Sequence, residues 1–177
     1  MYKIDKLLKL ERKIFHIADL GLLWEITNKN TLYTTIKRYR KRGVLIPIHK
    51  GFYTTVPLSQ IDPVSLGAGF LHRFAYLSTE SVLAQDGVIS QIPQAITLVS
   101  PVSKKFTIGN FSFLSRRLKP KFLYQTVEIE DKNGVFVASL ERAVADMLYF
   151  NPQYYFDNPK LVNWQKVKSI QKEMGYP

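Results

Sequence analysis

Cysteine is absent from these 177 residues. That absence excludes a disulfide framework, a thiolate metal site and a cysteine nucleophile, and a cytoplasmic location is expected. Histidine is scarce. His16, His49 and His72 lack ligand spacing and any local carboxylate partner, so structural or surface roles are expected and no metal is. Long apolar runs are missing too; none approaches the ~20 residues needed to span a bilayer. The start, Met1 to Leu10, is interrupted by Lys3, Asp5, Lys6 and Lys9 and has no signal-peptide pattern, so no membrane partner is expected. No glycine-rich phosphate loop is present, and Gly67-Ala68-Gly69 falls inside a helical pattern rather than after a strand. No cofactor is expected. Acidic charge is also short: 14 Asp and Glu face 25 Lys and Arg, a net charge of +11. An imbalance of that size points to a polyanionic partner, either nucleic acid or an anionic surface.

What is present is enough apolar and aromatic residue, 46% and 13%, to bury a core. The basic excess is uneven. Residues 1–56 hold 12 Lys and Arg against 4 Asp and Glu, a net of +8; residues 57–177 hold 13 against 10, a net of +3. Composition changes at Pro57-Leu58-Ser59-Gln60-Ile61-Asp62-Pro63, a short linker ending in a helix start with Asp62 as cap and Pro63 at the first helical position. Two domains are expected, 1–56 and 62–177.

The first domain reads as three helices and a hairpin. Ile4, Leu7, Leu8 and Leu10 mark the first helix. Ile17 to Trp24 forms the second, with Leu20, Leu22 and Leu23 available to the core. Asn28 to Arg42 forms the third, stopped by Gly43. Val44–Ile48 and Phe52–Val56 are strands joined at His49-Lys50-Gly51. On the third helix, Leu32, Ile36 and Tyr39 fall within about 60° of arc and face inward. The opposite face carries Asn30, Thr34, Lys37 and Lys41, edged by Tyr33 and Arg38, with Lys29 in the first turn. Asn pairs well with adenine, Lys and Arg pair with guanine or phosphate, and Thr and Tyr reach either. A run of cations such as Lys37 to Arg42 reads by itself equally as a solvated face or as a binding face. A helix, a glycine, an apolar strand, a basic Lys50-Gly51 tip and an aromatic strand together give the order of a winged helix-turn-helix, with Lys50 meeting phosphate or the minor groove. Lys29, Asn30, Tyr33, Thr34, Lys37, Arg38, Lys41 and Lys50 are the expected contacts to double-stranded DNA.

Beyond the linker, helices are expected at Pro63–His72, Thr79–Gln85, Leu140–Tyr149 and Trp164–Met174. Strands are expected at Ala75–Leu77, Ala95–Val99, Lys105–Ile108, Phe111–Leu118, Tyr124–Glu130 and Val135–Ala138, with a turn at Asp131–Gly134. The expected fold class is α+β: an N-terminal winged helix-turn-helix and a mixed α/β C-terminal domain with an antiparallel sheet. Lys104, Lys105, Arg116 and Arg117, with Lys119 and Lys121 nearby, would form an auxiliary DNA or partner surface if strand pairing joins them, and otherwise are charges that protect exposed edges. Glu128 and Glu130 would share a strand face, as in metal-dependent nucleases, but they adjoin an exposed turn and no catalytic role is expected. Arg142 and Asp146 are spaced as an i,i+4 pair on one helix.

Ordered blocks of residues extend the reading. They are Ile36-Lys37-Arg38-Tyr39-Arg40-Lys41-Arg42-Gly43-Val44-Leu45, Lys50-Gly51-Phe52-Tyr53, Tyr76-Leu77-Ser78-Thr79-Glu80-Ser81-Val82-Leu83, Asp86-Gly87-Val88-Ile89, Ala95-Ile96-Thr97-Leu98-Val99 and Ala138-Ser139-Leu140-Glu141-Arg142-Ala143-Val144-Ala145-Asp146-Met147-Leu148. Together they resemble the AbiEi-type antitoxins of bacterial type IV toxin–antitoxin systems. The resemblance implies an autoregulating repressor whose winged helix binds operator repeats. It also implies a C-terminal domain that antagonises a nucleotidyltransferase-like toxin without a required stable complex. The chain is shorter after Asn151 than the family pattern. The alternatives are a stand-alone winged-helix regulator, a metal-dependent nuclease using Glu128 and Glu130, and an interaction module whose basic surface meets RNA or a protein.

Overall fold

The computed structural model describes residues 3–177, so the first two residues of the expected 1–56 domain lie outside the described residues. The chain divides into two compact units, Met1–His72 and Arg73–Pro177. Both mix helices with sheet, an α+β fold. Among the described residues no helix is long and apolar enough to cross a membrane.

In the first unit the order is α1 (Lys3–Leu8), β1 (Ile14–His16), α2 (Ile17–Leu23), α3 (Lys29–Lys41), β2 (Ile46–His49), β3 (Phe52–Thr54) and α4 (Pro63–Leu71). Asn28 opens α3 by accepting the Thr31 N–H through its side chain at 3.1 Å, and Gly43, at φ +70°, turns the chain out of it. The three strands form an antiparallel sheet in the order β1-β3-β2. Three residues are too few for β1 to carry a period, and it was not expected; it exists because Ile14 and His16 pair with Thr54 and Phe52. Leu7, Phe15, Leu20, Trp24, Leu32, Ile36, Leu45 and Tyr53 make one buried cluster, with Tyr39 packed against it. Leu22 departs from the expectation: it is 79% exposed, since α2 buries only Leu20.

The unit boundary differs from the expected domain boundary. Asp62 caps α4 as read, accepting the Ser65 N–H at 2.7 Å, but α4 goes with the first unit. Gly69 lies against Ile14 and Phe52, close enough that a Cβ would touch both. Phe70 sits edge-on to His49 and Phe52, with ring centroids 5.3 and 5.7 Å away. A Pro-containing linker reads as a border, whereas side-chain packing decides where a helix belongs.

The second unit runs β4 (Tyr76–Leu77), α5 (Glu80–Gln85), β5 (Ile96–Ser100), β6 (Lys104–Ile108), β7 (Phe111–Arg117), α6 (Pro120–Leu123), β8 (Ile129–Lys132), β9 (Val135–Ala138), α7 (Leu140–Phe150) and α8 (Trp164–Met174). Its six strands are ordered β6-β7-β5-β4-β9-β8. The sheet is mixed, not antiparallel as expected: β5 pairs parallel with β7, and β4 parallel with β9. Alternation along a strand specifies its two faces, not the direction of its neighbour. Here β7 returns between β5 and β6. That crossing is held by the buried hydroxyls of Ser100 and Ser115, 2.6 Å apart and each within hydrogen-bond reach of the Val102 carbonyl.

The expected strand at Tyr124–Glu130 is also corrected. Pro120 starts the short α6, and the carbonyls of Gln125 and Val127 accept from the Arg142 guanidinium instead of a strand. β8 therefore begins at Ile129 and carries Asp131 and Lys132, leaving Asn133 and Gly134 as the turn. Their φ angles of +58° and +84° suit a two-residue hairpin.

Candidate nucleic-acid interface

The face of α3 opposite the core is built as its periodicity predicts. Leu32 and Ile36 are buried, and the Tyr39 ring tilts against Trp24 at 5.2 Å. Inward anchoring on one side leaves Lys29, Asn30, Tyr33, Thr34, Lys37, Arg38 and Lys41 exposed, with Lys50 exposed at the hairpin tip. Arg40 and Arg42 are exposed as well. Among the described residues, none of Lys29, Lys37, Arg38, Arg40, Lys41, Arg42 or Lys50 has a carboxylate partner; Glu25 pairs with Lys6, and Asp19 with Arg12 and His72. Seven cations without counter-ions on one helix and one hairpin tip make a field that attracts phosphate. The Asn30 amide and the Tyr33 and Thr34 hydroxyls on the same surface add donors and acceptors able to read a base edge.

The hairpin beside α3 is short. β2 and β3 hold four and three residues, and the pairing shifts register between Pro47 and His49. Gly51 takes φ +74°, and its carbonyl accepts the Ile17 N–H at 2.9 Å, which ties the tip to the start of α2. Between hairpin and helix lies a groove of about 330 Å³ lined by Tyr33 and Arg40 from α3 and by Pro47, His49, Lys50 and Tyr53 from the hairpin. Arg40, which lines this groove, was not among the residues expected from the sequence. It sits seven residues after Tyr33, hence on the same stripe, and that spacing was the available signal.

A second feature of this unit was not legible. His16 and His72 do have a carboxylate partner: Asp19. The His72 Nε2 is 3.0 Å from Asp19 Oδ1, and the His16 backbone N–H donates to Oδ2 at 2.9 Å, as does Arg12 Nη2 at 2.6 Å. The two imidazoles stack at 4.2 Å, and His16 Nε2 lies 2.9 Å from the Gly69 carbonyl of α4. Burial holds the His16 pKa below its usual value, with His72 and Arg12 acting the same way. Burial alone would raise the Asp19 pKa, but the His16 N–H, His72 and Arg12 together lower it. The His72–Asp19 and His16–Gly69 contacts span 53 positions of sequence, beyond the reach of any local pattern, whereas the Arg12 and His16 N–H contacts to Asp19 are local.

In the second unit, β6 and β7 do pair, but alternation separates the expected basic cluster. Lys104 lies opposite Ser115 and Lys105 opposite Leu114, so Lys104 and Arg117 share one sheet face while Lys105 and Arg116 share the other. Arg116 is occupied: it pairs with Glu80 and lies over the Phe150 ring at 5.7 Å. The four do not form one patch. Glu128 and Glu130 do not share a strand face either. Glu128 precedes β8 at φ +56°, and its carboxylate is bound 2.7 Å from Lys166 Nζ, which holds its pKa low. Among the described residues no group of three or more His, Asp or Glu is arranged to hold a metal.

Arg142 and Asp146 are fully buried and paired at 2.9 Å. The guanidinium also donates to the Gln125 and Val127 carbonyls and to the Tyr76 hydroxyl. Asp146 accepts from Tyr76, Ser78 and Tyr176. Burial and the Asp146 charge raise the pKa of both phenols, keeping them protonated donors. Every polar group points at another, so this is a structural knot rather than a reaction centre.

No family model matches this chain, and no curated protein matches it significantly. A solved structure that does match is the crystal structure of RV2827C protein from Mycobacterium tuberculosis. The two share 15% identity with a TM-score of 0.55, over 98% of this chain and 70% of that one. At that identity the likeness is one of fold.

Proposed function

We propose that this protein binds double-stranded DNA through a winged helix-turn-helix formed by its first unit, with α3 as recognition helix and the β2–β3 hairpin as wing. In this reading it is not an enzyme; it represses its own operon at repeated operator sites in the cytoplasm. The observation that carries the proposal is the unpaired cationic face of α3, continued by Lys50 at a tip held beside it. Asn30 and Thr34, near the start of α3, read bases, while Lys37, Arg38, Lys41 and Lys50 meet phosphate. The separation of Glu128 from Glu130 counts against the nuclease alternative.

The role as type IV antitoxin rests on the sequence resemblance. It assigns to the second unit the antagonism of a nucleotidyltransferase-like toxin without a stable complex. It requires the adjoining gene to encode such a toxin, and co-expression must then restore growth.

Fluorescence anisotropy on a labelled duplex tests the DNA reading. If Lys37, Arg38, Lys41 and Lys50 each neutralise one phosphate, log affinity falls against log salt with a slope near −4, about −0.9 per contact. Affinity that does not change with salt overturns it.

A further inference from the structure

The groove between α3 and the hairpin invites a narrower assignment, which rests on the DNA-binding reading. A wing that reads the minor groove has to extend past the backbone. This one does not extend: its strands hold four and three residues, and Gly51 is bonded back to Ile17. Lys50 and Gly51 are all that lie between the strands. What the short hairpin does make is a concavity of about 330 Å³ against the helix.

Its lining has one kind of chemistry. Arg40 stands on the helix side and Lys50 on the hairpin side, neither with a carboxylate among the described residues. Tyr33, 57% exposed, stands two turns before Arg40, about 10 Å away along the axis at 1.5 Å per residue. His49 is less available, because its ring packs edge-on against Phe70. A cation on each of two facing walls, with a phenol along the helix side and no acidic group in the lining, suits a singly charged tetrahedral anion.

We infer that this groove seats one phosphate of the DNA backbone, gripped by Arg40 from α3 and Lys50 from the hairpin, and that the hairpin does not read the minor groove. Arg40 is then a positioning residue: it sets how deep and at what angle α3 enters the major groove, while base identity is read by Asn30 and Thr34.

The test uses the full chain and two mixed 24-base-pair duplexes, one A·T-rich and one G·C-rich, followed by anisotropy across salt. Arg40→Ala and Lys50→Ala should weaken both duplexes by equal factors. Because the two residues share one phosphate, Arg40→Ala/Lys50→Ala should lower the salt slope by about 0.9 in all, not by the ~1.8 of two separate contacts. Arg40→Lys should restore the slope. A preference for the A·T-rich duplex that Lys50→Ala removes would overturn the inference in favour of minor-groove reading. So would a double substitution that lowers the slope by two contacts, or none. If Lys37→Ala and Lys41→Ala weaken binding while Arg40→Ala does not, the phosphate seat fails and the DNA reading stands. If no variant and no salt concentration changes duplex binding, both fail. Circular dichroism at matched temperature confirms that each variant is folded.

Discussion

The hydroxyl of Tyr176 donates to Asp146 Oδ1 at 2.5 Å, joining the end of the chain to a carboxylate that is fully buried. Asp146 keeps three other donors, from Arg142, Tyr76 and Ser78. Tyr176→Phe should therefore cost about 1 kcal/mol, the net worth of one hydrogen bond among several. Arg142→Ala removes the only cation and strands a buried charge, which should cost about 3–5 kcal/mol. Urea denaturation of each variant measures both. Equal losses would mean that Arg142 does not hold the network together.

Stability of the first unit should depend on pH through His16. Its folded-state pKa lies below the usual 6.5, so the unfolded chain takes up more protons as the pH falls through that value. The unfolding free energy should be flat above pH 7, fall as the pH drops below about 6.5, and level off beneath the folded-state pKa. Asp19, with its pKa lowered, adds a separate loss in stronger acid. Chemical denaturation at pH 7.5, 6.5 and 5.5 reads the first window. His16→Gln should flatten it; a persistent slope in that variant would place the titrating group elsewhere.

A fragment ending at Val56 should be markedly less stable than one ending at His72. The shorter piece lacks the Phe70 ring against His49 and Phe52, the Gly69 contact with Ile14, and the hydrogen bond at His16 Nε2. Thermal melts of the two fragments check this. Matching midpoints would mean that α4 contributes nothing to the unit.

Within α3, Ile36→Ala should cost roughly 2–5 kcal/mol, because Ile36 is 2% exposed. Lys37→Ala, one position on, should change stability by no more than about 0.5 kcal/mol while weakening duplex binding. The pair separates the face that folds the helix from the face proposed to meet DNA. Denaturation and anisotropy on the same samples read the two effects.

Legibility from sequence followed the range of the forces involved. Asn28, the stripe of Leu32, Ile36 and Tyr39, and Gly43 lie within one helix, so its boundaries and faces could be read directly. The cap residues Asp62 and Ser139 were equally plain. What could not be read was set at a distance. Gln125 and Val127 look like strand residues, but Arg142 claims their carbonyls. The return of β7 between β5 and β6 rests on ladders to both neighbours, joined by a contact between two serines fifteen positions apart. Asp19 meets His72 only because the end of α4 folds back beside α2. At the candidate interface, seven of the eight expected residues lie on α3, where its periodicity sets which face is exposed, and Lys50 came from the hairpin turn. Arg40 shares the Tyr33 stripe, but its place beside the hairpin is set by tertiary packing.

The bond from Ile17 to the Gly51 carbonyl has a consequence for the cost of association. A loose hairpin would have to be immobilised as it docked, losing backbone freedom worth roughly 1–2 kcal/mol for each residue ordered. Here the tip is already moored to the start of α2, and that loss was incurred during folding. If the surface binds DNA as proposed, the hairpin tip enters the encounter already ordered, and less of the cost of association falls on this part of the protein.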